Sequence, residues 1–299
     1  MVIGSNSIKI LSLIACGGLC YLYFNDISDY VFSFIYMYKH NKVVVFDLDE
    51  TLGHFSELGL FCKGIQDVLN IKLSQEDFFK ILDLYPEFLR PDIIKIINYV
   101  KQKKIDGKCE KVLIYTNNNG PPSWAKKIKN YFEYKIQYKL FDQIIGAYKI
   151  KGVMNEPCRT SHNKTYSDLI QCSKFKKNKL DICFIDDQYH PGMIHKNIYY
   201  IYLPGYQCQI PLNEMMRRFI NSSIGNKYIH NSNTFTIDIN NYMSQYNIEY
   251  VKKDITPEDI ELSKKLLYYI KQFFKHSYNN KTRKRYIQSN DNNKTRKRL

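Results

Sequence analysis

The stretch Val43-Val44-Val45-Phe46-Asp47-Leu48-Asp49-Glu50-Thr51-Leu52 constrains the fold more than any other segment of this chain. Three successive β-branched residues followed by phenylalanine read as a strand buried on both faces, the kind found inside a parallel sheet. The run ends in two carboxylates one residue apart. Ionised aspartates that close together in a dry interior need a cation or a shared proton. In open α/β sheets such groups emerge at the carboxyl ends of the strands, where chemistry collects.

Other apolar runs end the same way. Val112-Leu113-Ile114-Tyr115 leads into Thr116-Asn117, and Ile182-Cys183-Phe184-Ile185 leads into Asp186-Asp187. A further run, Ile198-Tyr199-Tyr200-Ile201-Tyr202-Leu203, stops at Pro204-Gly205. Helical periodicity lies between them, at residues 92–103 and at 123–131, the latter with Ser123 as the expected cap. Strands alternating with helices predict an α/β chain with a doubly wound parallel sheet. That arrangement delivers Asp47, Asp49, Thr116 and Asp186 to one edge of the sheet.

These residues carry a resemblance. Asp47-Leu48-Asp49-Glu50-Thr51-Leu52-Gly53-His54 resembles the first motif of the haloacid-dehalogenase superfamily. Within it, the segment is similar to the branch of RNA polymerase II C-terminal-domain phosphatases and NLI-interacting-factor-like phosphatases. Phe88-Leu89-Arg90-Pro91 looks like that branch's F-L-R-P-G segment, with Asp92 in place of Gly. Thr116 falls where the second motif has Ser or Thr, and Phe184-Ile185-Asp186-Asp187 matches the last motif. The resemblance covers residues 42 to 220. One motif departs from the pattern, because the family's lysine stands in a stretch like Y-V-K-D-L. Aligning on Asp168-Leu169 puts Ser167 in that slot; Lys164, about one helical turn earlier, is the candidate, with a solvated charge as the alternative.

The resemblance implies a HAD-like Rossmannoid fold without a large cap domain, and a Mg²⁺-dependent phosphatase acting on phosphoserine or phosphothreonine in a phosphoprotein substrate. It implies Asp47 as nucleophile and Asp49 as general acid and base. Mg²⁺ is then held by the side chains of Asp47 and Asp186 and by the backbone carbonyl of Asp49, with Asp187 supporting from behind. Thr116 and the Asn117 amide would hold phosphoryl oxygens, Thr51 would belong to the substrate-binding set, and Lys164 would neutralise the transferring group. Two alternatives stand beside this: a catalytically silent scaffold of the same fold, and a phosphatase for nucleic-acid ends or small metabolites. Glu50 argues against the latter, since metabolite phosphatases of the superfamily commonly carry Gly there. Residues 53–87, containing Phe61, Phe78, Phe79 and Tyr85, are expected to flank an open groove for an extended peptide.

Beyond the catalytic unit of residues 39–225, both ends differ in composition. Residues 1–38 are apolar and aromatic, and within them 8–24 are nearly uncharged. A membrane anchor is the favoured reading of that segment, ahead of a cleaved signal and of a helix packed on the core. Residues 226–299 are polar and Asn-rich, with one expected helix at 257–275 opened by Thr256 and striped by Ile260, Leu267, Ile270 and Phe274. The net charge is +15, and residues 281–299 hold eight Lys or Arg against one Asp, in the repeat Asn-Asn-Lys-Thr-Arg-Lys-Arg. That tail is expected to be disordered when free, with a nuclear-import signal, a nucleic-acid phosphate contact or an acidic partner surface as its uses and a solvating tail with no dedicated partner as the alternative. The eight cysteines show neither CxxC nor zinc spacing and read as reduced thiols. The chain is accordingly expected inside the cell, nuclear or cytoplasmic, and held at a membrane if residues 8–24 anchor it.

Overall fold

The strand β1 (Asn41–Phe46) is the apolar run that ends at Asp47, and Val43, Val44, Val45 and Phe46 in it are fully buried. Seven strands follow: β2 (Lys111–Tyr115), β3 (Gln143–Ile145), β4 (Lys149–Ile150), β5 (Val153–Met154), β6 (Leu180–Asp186), β7 (Ile198–Tyr202) and β8 (Arg283–Tyr286). The computed structural model describes residues 41–175, 180–246, 253–275 and 283–286. The proposed anchor at residues 8–24 lies outside the described residues, as does the rest of the basic tail. Among the described residues no helix is long and apolar enough to cross a membrane.

All strands except β4 and β5 form one parallel sheet in the order β3-β2-β1-β6-β7-β8. The chain builds outward from β1 to β3, then returns to β1's other side with β6. The direction of building therefore reverses between β1 and β6, and in such sheets a crevice opens there at the carboxyl ends. Residues alternate between two cores. Val44 and Phe46 join the larger one, while Val43 and Val45 join the smaller one with Leu169 and Phe184. That alternation is why an uninterrupted apolar run is needed.

Nine helices are described: α1 (Ser56–Leu69), α2 (Gln75–Leu84), α3 (Ile93–Ile105), α4 (Pro122–Ile136), α5 (Tyr166–Ser173), α6 (Leu212–Ile220), α7 (Ser223–Tyr228), α8 (Ser232–Ser244) and α9 (Pro257–Lys275). Ser123 does not cap α4. The helix begins one residue earlier at Pro122, whose ring suits a first turn that needs no donor there. Thr256 does open α9, accepting from the Asp259 amide at 3.1 Å. Its buried face is Leu262, Leu266, Ile270 and Phe273; Ile260 of the expected stripe is exposed.

Four further expectations change. Phe61, Phe78 and Tyr85 do not flank a groove: they are fully buried, with Phe61 edge-on to Tyr85 at 5.9 Å. The expected boundary at residue 225 falls inside α7, and Phe235, Ile239 and Met243 of α8 enter the same core as β1, so this part of the extension packs as one unit with the sheet. Cys158 and Cys172 form a disulfide, with Cα atoms 5.1 Å apart, contrary to the reading of reduced thiols. The bond joins the loop after β5 to α5, a pairing that spacing alone does not reveal. In the tail, Arg283–Tyr286 pairs beside Tyr199–Tyr202 as an edge strand, where composition had suggested no structure.

Candidate active site

β1 and β6 run in register with Phe46 opposite Ile185, and the ladder continues one step as the Asp47 amide donates to the Ile185 carbonyl at 2.9 Å. Asp47 and Asp186 therefore leave the sheet side by side at the reversal of strand order. Lys164 reaches between them from the loop before α5. Its Nζ donates to Asp47 Oδ1 at 2.5 Å and to Asp186 Oδ2 at 2.7 Å, with all three residues buried. Thr165, which caps α5 by accepting from the Asp168 amide at 3.1 Å, fixes the end of that loop. Of the two readings of Lys164, the solvated charge is excluded.

Asp187 completes an acidic cluster: Asp47, Asp186 and Asp187 each place a carboxylate oxygen within 4.8 Å of the others. Burial pushes the Asp47 carboxyl well above its usual range, Lys164 only partly offsets this, and the charges of Asp186 and Asp187 add to it. Asp186 is buried too, but Lys164 and His190 outweigh that effect and hold it below the usual range. Burial, then the neighbouring Asp186 charge, raises Asp187 to about 6. Lys164 stays above its ordinary value, because the two aspartates overcome its own burial. Three carboxylates thus face a single ammonium. The donor set is all hard oxygen with excess negative charge, which fits a divalent cation such as Mg²⁺.

Asp49 lies two residues beyond Asp47 on the same loop. Asn118 Nδ2 donates to its Oδ2 at 2.7 Å, while Oδ1 is buried without a partner. Burial raises this carboxyl, ahead of the lowering by Asn118. Thr116 is buried at the end of β2, and its Oγ1 accepts from the Asn118 amide at 3.0 Å. Asn117 beside it keeps a buried Oδ1 without a partner. Thr51 is placed otherwise than expected. It is fully buried and spends its hydroxyl on Asp187, donating to Oδ1 at 3.0 Å and accepting from the amide at 3.2 Å, so it positions Asp187 and does not face a substrate.

Backbone constraints hold the first loop in place. Glu50 adopts a left-handed conformation, φ 59°, and its carbonyl accepts from Arg90 Nη2 at 2.6 Å. Buried Arg90 also donates to the carbonyls of Thr51 (2.7 Å) and Pro204 (2.9 Å), tying the loop to the end of β7. A Cβ on Gly53 would lie 2.4 Å from the Phe88 carbonyl, so only glycine fits there.

Two residues of the site escaped the sequence reading. Asn118 holds Asp49, as described. Arg159 is buried and braces three loops at once, donating to the carbonyls of Thr116 (3.3 Å), Gly146 (2.7 Å) and His162 (3.0 Å). Of the histidines, His54 pairs with the Cys208 carbonyl at 2.7 Å, and His190 Nε2 lies 3.3 Å from Asp186 Oδ1. Comparison of the chain with protein-family models, with curated proteins and with solved structures finds no match.

Proposed function

We propose that this chain is a Mg²⁺-dependent phosphatase of the haloacid-dehalogenase type, hydrolysing phosphoserine or phosphothreonine in proteins through an aspartyl-phosphate on Asp47. The observation that carries the reading is the Asp47–Lys164–Asp186 ion triplet at the strand-order reversal, with Asp49 beside it. Asp47 attacks phosphorus, forming the acyl-phosphate bond as the ester oxygen departs. Asp49 gives that oxygen its proton. Burial keeps this carboxyl protonated to higher pH than usual, and Oδ1 is free to present the proton while Asn118 holds Oδ2. The same carboxylate then takes a proton from the water that attacks phosphorus and frees Asp47. The Thr116 hydroxyl and Lys164 hold phosphoryl oxygens. A Mg²⁺ held by Asp47, Asp186 and the Asp49 carbonyl, with Asp187 adjacent, would cancel the repulsion between the phosphate and the attacking carboxylate.

A protein substrate suits the architecture, because residues between β1 and β2 are spent on core helices and not on a lid. Residues 8–24 and the basic tail are proposed to set location, not chemistry. The test is Asp47→Asn assayed with p-nitrophenyl phosphate. Asn keeps the shape but cannot attack as an anion, so a loss of at least about a thousandfold is expected. EDTA should abolish the wild-type rate. Folded Asp47→Asn with a near-normal rate would sink the assignment, and a wild-type chain inert with Mg²⁺ would favour the silent scaffold.

A further inference from the structure

Beside the carboxylates, on the far side of Asn118, lies a cleft of about 220 Å³. One wall is Pro121, Pro122 and Ala125 at the start of α4; the other is Ile144, Ala147 and Ile150, running from β3 into the β4–β5 hairpin. The floor reaches Thr116 and Asn118, so the cleft begins where the proposed phosphate-binding loop ends.

Several polar groups along it are already engaged. Asn118 spends Nδ2 on Asp49 (2.7 Å) and Oδ1 on the Gly120 amide (2.9 Å). Asn155 Nδ2 donates to the Ala147 carbonyl at 2.8 Å, and Glu156 Oε2 accepts from the Gly146 amide at 3.2 Å. No aromatic ring lines the cleft, so a nucleobase would find no stacking surface. Sugar hydroxyls would find few free partners. Between those groups the cleft offers a ligand the aliphatic surfaces of Ile144, Ala147, Ile150 and the two prolines.

The hairpin extends that surface. β4 and β5 stand apart from the main sheet as a two-stranded ladder turned by Lys151 and Gly152, both with positive φ. Ile150 is paired with Val153, which places both side chains on one face, and Val153 is 71 % exposed. An isolated hairpin is marginally stable, and an uncovered aliphatic residue at its tip adds nothing to it unless something covers it. The cleft is continuous with Thr116 and Asn118, so a chain held at the proposed phosphate site would pass over it.

We propose that this cleft docks an aliphatic side chain flanking the phosphorylated residue of an extended peptide, with Ile150 in its specificity-determining wall and Val153 beside it on the same hairpin face. The proposal rests on the phosphatase reading above and narrows its substrate class to peptides with an apolar neighbour.

The test uses the full chain and synthetic phosphoserine peptides in which a single Ile is walked one position at a time along both flanks of a Gly/Ser background. One position is expected to raise kcat/KM by about tenfold or more, mainly through KM, the gain that burying one aliphatic side chain supplies. Ile150→Asp and the exposed Val153→Asp should erase that preference and leave aryl-phosphate turnover unchanged. Fluorescence anisotropy of the same labelled peptides reads the cleft independently of turnover. Equal binding of all peptides, or variants that keep the preference, would overturn the docking site even in an active phosphatase. Position-selective binding that Ile150→Asp removes, without phosphate release by the wild-type chain, would retain the cleft and overturn the phosphatase reading instead.

Discussion

Replacing Lys164 with Met removes one buried ammonium and leaves two buried aspartates facing each other. The side chain loses charge-assisted bonds of 2.5 and 2.7 Å to carboxylates that are almost wholly shielded from water. Breaking a buried pair by deleting one partner costs about 3–5 kcal/mol, because the remaining charge is uncompensated. Here the carboxylates can relieve the cost by taking up a proton, so the deficit must depend on pH. Lys164 sits above its ordinary value of 10.5, so its own contribution is complete throughout the acid and neutral range and is lost only as pH rises past the folded value. An acid raised by folding destabilises above its unfolded pKa and is relieved as pH falls towards it. The loss should therefore be about 3 kcal/mol near pH 8 and shrink to about 1 kcal/mol near pH 5. Urea unfolding in EDTA at both pH values, which keeps bound metal out of the comparison, measures it. Aryl-phosphate turnover with Mg²⁺ should fall about a hundredfold. Exposed Lys174, which ends α5, is the control and should tolerate Met within about 0.5 kcal/mol. A deficit equal to that of Lys174→Met, or one that ignores pH, would refute the ion triplet.

Asp77 takes hydrogen bonds from the Ser74 amide, Tyr228 Oη and Lys227 Nζ; although burial opposes it, these hold its carboxyl down at about 2. That stabilisation is present above the ordinary carboxylate value and is lost as pH falls through about 2, so Asp77→Asn should cost about 1 kcal/mol near neutral pH and almost nothing near pH 2, by thermal unfolding at both. Replacing Cys158 and Cys172 together with Ser should lower stability by about 2–3 kcal/mol, the scale for closing a loop of this size, and unchanged unfolding would mean the pair is not bonded in solution. Arg159→Lys cannot reproduce the fork to three carbonyls, and a roughly tenfold fall in aryl-phosphate turnover with a native circular dichroism spectrum is expected; an unchanged rate would disconnect that brace from the chemistry.

The strand ends were legible because β-branched runs stop at carboxylates, and parallel register does the rest: Phe46 opposite Ile185 makes Asp47 and Asp186 neighbours. Lys164 was reachable only through the family's motif order, and its place follows from the capped start of α5. Arg159 and Asn118 were not legible. Apart from the nearby His162 carbonyl, their partners are backbone carbonyls and a carboxylate 13 to 69 residues away, and such contacts leave no periodic pattern. The same holds for the disulfide, which joins the loop after β5 to α5. α8 did carry a signal, with Phe235, Ile239 and Met243 at four-residue spacing, but a polar Asn-rich composition masked it. The aromatics of residues 53–87 failed in the opposite sense, because a phenylalanine looks alike in a groove and in a core.

The most direct test asks whether phosphate becomes bonded to Asp47. The full chain is turned over with p-nitrophenyl phosphate and Mg²⁺, quenched in acid, treated with borohydride to reduce any acyl-phosphate, and mapped by peptide mass spectrometry. Aspartyl-phosphate chemistry predicts reduction at Asp47 alone, absent from Asp47→Asn. Steady turnover with no reduced aspartate, or with reduction at another residue, would contradict it.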